Sequence, residues 1–150
     1  MDNIKGMAGY IMHELAGFWK RLWADLLDLI ILGLLLWILF DLIFNFDYTS
    51  EVMTNITSSL YVVYATLLPI YWKGYILGKR IVKIHIERVD GESIDFWTMV
   101  KREVIGKQLL SYVTLGIAPI LSAFMVGTRN DKRAIHDFIA GTHVLKDAIE

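Results

Sequence analysis

The stretch that most limits what this chain can become runs from Leu26 to Phe44, where the only charged side chains are Asp28 and Asp41. As a helix rising 1.5 Å per residue, it is long enough to cross a hydrocarbon core of about 30 Å. Charge collects at its start. Arg21, Asp25 and Asp28 follow one another at intervals of four and three, so they share one helix face. Asp28 then lies about 10 Å further along the axis than Arg21. A carboxylate at that depth is costly in lipid, and it is expected to face other helices or a wet cavity.

Composition supports a membrane reading of the whole chain. Of 150 residues, 55% are hydrophobic and 21% charged, and the mean hydropathy is +0.47. A second apolar stretch is expected over about 56–77, with Pro69 near its end and Tyr71, Trp72 and Tyr75 around Lys73 as an interfacial belt. The first span, about 22–46, has its own belt of Trp19 and Trp23 alternating with Lys20 and Arg21, and is expected to act as its own signal anchor. Gly33 within it is expected to allow close helix approach. Ile4, Met7, Ile11 and Leu15 fall at helical spacing, and a short interfacial helix is expected there.

Between the apolar stretches the period changes. Val82, Ile84 and Ile86 alternate with Lys83, His85 and Glu87, the mark of a half-buried strand. Asp90-Gly91 signals a tight turn, and the return strand is expected to begin over Glu92 to Asp95. From Phe96 the period is helical again. Trp97, Val100, Val104, Leu109 and Tyr112 share a side, with Lys101, Arg102 and Lys107 elsewhere. Gly116 and Pro119 interrupt the apolar run that follows, so 97–127 is expected to form a helical hairpin turning there. A single span from Leu109 to Val126 is the competing reading. Arg133 to Ala140 reads as a short helix stopped by Gly141, and Thr142 to Leu145 as a short strand.

Basic residues set the expected topology. Three lie before Leu26, none in 47–59, eight in 73–107 and four after Val126. The positive-inside rule then puts the first, third and fourth groups, with the N-terminus, in the cytoplasm. An even number of crossings satisfies it and lets Thr142–Leu145 reach the Val82–Ile86 strand. The expected fold class is an all-α transmembrane bundle of three to four membrane-embedded helices. A small cytoplasmic β-ribbon, about 80–95 plus 142–146, completes a single domain.

Three blocks of residues carry a family resemblance. Phe18-Trp-Lys-Arg21 with Ala24 and Asp28 comes first, and Gly78-Lys79-Arg80 leading to Asp90-Gly91 second. Arg133-Ala-Ile-His136-Asp137-Phe-Ile-Ala-Gly141-Thr142-His-Val144 closes the series. In this order they resemble the RDD family of small bacterial membrane proteins, over about 18–146. The resemblance implies a bacterial plasma-membrane location. It also implies that the family's arginine is Arg21 and its aspartates Asp28 and Asp137, with Asp25 an additional carboxylate able to pair with Arg21. Some members of the family are implicated in cation/proton antiport or other transport.

The leading functional expectation is handling of Na⁺ or H⁺ by an intramembrane aspartate paired with arginine, here Asp28 with Arg21. His136 and Asp137 would relay protons at the cytoplasmic end, since an ordinary histidine titrates near 6.5. The alternative is a non-catalytic assembly or accessory protein whose Arg/Asp network is structural. Four crossings at most leave little room for a pathway in one chain, so a homo-oligomer in the lipid bilayer is expected. No cofactor is implied. The chain has no cysteine, and His13, His85, His136 and His143 lack metal-site spacing. Ser111, Ser122 and His136 lack a nucleophile elbow, so no enzyme is expected. The basic groups suit headgroups rather than nucleic acid.

Overall fold

A computed structural model describes residues 15–44 and 51–147. The interfacial helix expected over the first residues lies outside them, apart from its last member, Leu15. Helix α1 (Phe18–Phe44) is followed by α2 (Glu51–Tyr71), the short α3 (Leu77–Ile81) and strand β1 (Ile84–Arg88). A helix over 96–113 comes next. It begins as α4 (Phe96–Met99), widens into a π-helical stretch (Val100–Leu109) and ends as α5 (Leu110–Val113). Then come α6 (Ile117–Thr128), α7 (Ile135–Ala140) and β2 (Thr142–Lys146).

Helix α1, with 27 residues, is about 40 Å long. Its segment Phe18–Ile43 is long and apolar enough to cross a membrane, and only 6% of its most apolar window is buried by the rest of the protein. That low figure separates it from the core helix of a soluble protein, which packing would cover. Leu35 and Leu42 are 59% and 81% exposed, and a continuous apolar surface of this kind suits lipid rather than water. Helix α6 is apolar too, but its 12 residues reach only about 18 Å.

The helix over 96–113 turns its faces opposite to the habit of a soluble protein. Trp97, Val104, Leu109 and Tyr112 point outward, and Arg102, Glu103 and Gly106 are buried. In the π-helical stretch the backbone bond spans five residues, so Arg102 and Lys107 follow one another on the inner side. The turn to α6 falls where Gly116 and Pro119 predicted it. Leu115 and Gly116 both have positive φ there, 50° and 85°.

The ribbon forms with the expected C-terminal strand, but without the return strand that the Asp90-Gly91 turn suggested. β1 pairs antiparallel with β2, from Ile84 opposite Lys146 to Arg88 opposite Thr142. No strand forms over Glu92–Asp95. Asp95 instead caps α4, accepting from Thr98 N at 3.0 Å. The reason is burial: Ile84 and Ile86 need an apolar partner, and Val144 supplies it. These three, with Ala16, Ala24 and Met99, make the small core. The chain ahead of α1 joins β2, as Ala16 N donates to Val144 O at 2.8 Å. The ribbon is also narrower than expected, since 80–81 belong to α3.

Close backbone approaches lock the short elements onto the long ones. A Cβ on Gly74, whose φ is 93°, would sit 2.0 Å from Ile86 O. One on Gly78 would lie 2.1 Å from Ala24 O, so glycine is what lets α3 touch α1. Gly33, by contrast, has nothing within 4 Å of an added Cβ. It faces open space rather than the close helix contact expected of it.

Candidate functional site: a buried charge network and its cavity

At the junction of α1, the π-helical stretch and α7, Asp137 is fully buried between two guanidinium groups. Arg21 Nη1 meets its Oδ2 at 2.6 Å, and Arg102 Nη1 holds Oδ1. The Ala134 N–H adds a bond to Oδ2 at 3.0 Å. The guanidiniums are satisfied in turn. Arg21 donates from Nε to Ala16 O at 3.1 Å and from Nη2 to Lys132 O at 2.6 Å. Arg102 also donates to Thr142 Oγ1 at 2.8 Å. Buried charges persist only when paired and hydrogen-bonded in this way.

Burial pushes the Asp137 carboxyl upward, but Arg102 and Arg21 outweigh it and hold the group below the ordinary carboxylate range. His136 moves down as well. Burial, reinforced by Arg102, keeps its imidazole neutral well below 6.5. Around neutral pH this pair is therefore a fixed anion beside a neutral ring.

Arg102 links this clamp to a second group. Its Nε lies 3.3 Å from Glu103 Oε1, and Lys107 Nζ lies 2.8 Å from Glu103 Oε2. On the facing side Lys79, in the middle of α3, meets Asp25 Oδ1 at 2.8 Å. The two partners differ: the Lys79 side chain is 4% exposed and that of Asp25 47%. Asp25 opens into a cavity of about 400 Å³ that Arg21, Tyr61, Lys79, Arg102 and Lys107 also line. Phe18, Leu22 and Val126 are among its apolar walls.

Asp28 is placed elsewhere. Its Oδ1 accepts from Gly78 N at 2.7 Å and from Tyr64 OH at 2.8 Å, and Tyr64 OH accepts from Leu77 N at 2.9 Å. Its Oδ2 is buried, with no hydrogen-bond partner among the described residues. The pairing of Asp28 with Arg21 expected from their spacing is thus corrected: Arg21 turns to Asp137, and Asp28 ties α1 to the first turn of α3. The Arg21–Asp25 pair is corrected likewise, because Gly78 brings Lys79 within reach of Asp25. Five site residues expected from sequence thus fall into two groups, Arg21, His136 and Asp137 at the clamp and Asp25 and Asp28 along α3.

Sequence reasoning left out Lys79, Arg102, Glu103 and Lys107 as site residues. A signal was present: Glu103 stands within the arm of an apolar hairpin, where a carboxylate requires a partner.

The bundle with an inward-facing charge network and an outward apolar surface defines a small membrane protein. The sequence pattern of the RDD family matches residues 15–141, and the chain belongs to that family. It is 38% identical over 133 residues to the uncharacterized protein YckC of Bacillus subtilis (strain 168), covering 89% of this chain and 85% of that one. It is 29% identical to the uncharacterized membrane protein YteJ of the same organism, over 99% of this chain and 92% of that one. No solved structure matches the chain.

Proposed function

We propose that this RDD protein is a multi-pass plasma-membrane protein, with its N-terminus in the cytoplasm, that moves Na⁺ or H⁺ through a cavity at the charge network. Asp25 is the working carboxylate in this reading. The supporting observation is that it alone among the network's carboxylates lines the cavity while holding a single ammonium, that of Lys79. Lys79 then acts as a tethered cation. A proton or Na⁺ entering the cavity competes with it for Asp25, and its return drives the bound ion off. Asp28 and Asp137 serve as anchors, because Asp28 does not line the cavity and Asp137 is saturated. Assembly into a homo-oligomer would complete the protein surface around the cavity.

The test is the purified protein in liposomes, following lumenal pH under an imposed Na⁺ gradient. The wild type is expected to shift the pH. Asp25→Asn should lower the rate about tenfold or more, the size of a loss of roughly 1.4 kcal/mol in the rate-determining step. An unaltered rate in Asp25→Asn removes that carboxylate from the pathway.

A second reading has its own support. The clamp around Asp137 ties the chain ahead of α1, the π-helical stretch and the ribbon into one unit. In an assembly or accessory protein such a unit would present the ribbon to a larger partner. Wild-type liposomes without ion flux, together with co-purification of one fixed partner, would favour it.

A further inference from the structure

A second hollow, of about 630 Å³, lies against α1 and α2 and is open along one side, where Leu29, Leu34 and Trp37 of its lining are 61%, 52% and 48% exposed. The first touches α1 at Phe18, Arg21, Leu22 and Asp25. The second touches it at Leu29, Leu32, Gly33, Leu34, Leu36 and Trp37. From Phe18 to Trp37 the helix rises about 28 Å, close to the roughly 30 Å of a hydrocarbon core. End to end, the two hollows follow α1 through nearly that whole thickness. From Asp25 to Leu29 is one helical turn, about 6 Å.

One side chain belongs to both hollows. Tyr61, on α2, lines the first and the second. Across from it the π-helical stretch places consecutive residues on either side, Lys107 on the first cavity and Gln108 on the second. Among the described residues the Tyr61 hydroxyl makes no hydrogen bond, although its ring leans on Tyr64 at 6.3 Å between centroids. The second cavity has polar groups in an apolar setting, from Thr57, Ser58 and Gln108. Gly33 contributes its missing side chain to the open space.

We infer that Tyr61 is the partition between two half-channels, one reaching Asp25 from the side of the ribbon and one reaching Tyr61 from the opposite side. This rests on the transport reading and adds its missing half, a route from the carboxylate to the far face. The ring blocks passage of water and ions between the hollows. Its rotation would join them for a proton or a small monovalent cation.

The absence of native cysteine allows a test independent of flux. Ser111→Cys places a thiol in the first cavity and Ser58→Cys one in the second. In proteoliposomes of uniform orientation, a membrane-impermeant thiol reagent should modify the Ser111→Cys protein only from the ribbon side. It should modify the Ser58→Cys protein only from the other. Adding Tyr61→Ala should make each site react from both sides, while Tyr61→Phe, which keeps the ring, should not. Labelling of both sites from one side only, or sidedness unchanged by Tyr61→Ala, overturns the inference. Gly33→Leu should narrow the second hollow and slow labelling at Ser58→Cys, and undiminished labelling would count against the hollow itself. Failure of the transport reading shows separately, as absence of Na⁺-driven pH change in the wild type.

Discussion

The Asp137 clamp and the Asp25–Lys79 pair use the same chemistry, a carboxylate facing a basic side chain across less than 3 Å, and are built for opposite ends. Asp137 has two guanidiniums and a backbone N–H, and none of its surface is exposed. Asp25 has one ammonium and stands half open to a cavity. Saturation makes the first a fixture, since no ion can enter without breaking several bonds at once. The second has room for exchange. Charge in the interior of a small membrane protein thus says little until its partners are counted.

Replacement of Asp137 should separate the two regions most sharply. Asp137→Asn leaves Arg21 and Arg102 buried against a neutral group, a loss of about 3–5 kcal/mol. Thermal unfolding in detergent should show a collapse of the folded state. A midpoint near that of the wild type would mean that the clamp does not organise the fold.

Acid should weaken the clamp region in two steps. The folded His136 resists protonation, whereas the unfolded chain takes up a proton below about pH 6.5. Stability therefore falls as the pH drops through that value, by about 1.4 kcal/mol per pH unit until the folded ring also titrates. Asp137, held ionised in the fold, adds its loss only below about pH 4, where the unfolded carboxylate takes up its proton. His136→Gln should lessen the slope between about pH 6.5 and pH 5, leaving the part that burial of His143 contributes, and leave the lower limb. An unchanged profile would remove His136 from the account.

Asp25→Asn should have a smaller effect on stability than Asp137→Asn, about 1–3 kcal/mol, because the buried Lys79 ammonium loses its charged partner but still faces a carbonyl oxygen. For a chain of this size each kcal/mol lowers the thermal midpoint by roughly 2–4 °C. A drop as large as that of Asp137→Asn would show that the cavity pair is structural too.

Much of the frame was legible in the sequence because local signals agreed with the packing. The apolar run of α1, the Gly116 turn and the Gly141 stop follow from period and turn chemistry, and the pairing of Thr142–Leu145 with β1 from the even-crossing topology that the basic residues set. What misled was local plausibility overruled by distant contacts. Arg21 and Asp25 are ideal neighbours on a helix, yet Arg21 finds Asp137 at a separation of 116 residues, and Gly78 delivers Lys79 to Asp25. The Asp90-Gly91 turn is a true turn, but nothing in it reports that Val144 covers Ile84 and Ile86. The π-helical stretch left no trace in the period, because the residues on its inner side, Arg102, Glu103 and Gly106, are not apolar.

The most direct test of the division between fixture and working site is Na⁺-driven pH change in liposomes carrying equal amounts of folded wild type and Asp25→Asn protein. A working Asp25 predicts a pH shift in the wild type and its loss in the variant, whose thermal midpoint falls less than that of Asp137→Asn. A variant that transports as fast as the wild type would contradict the account.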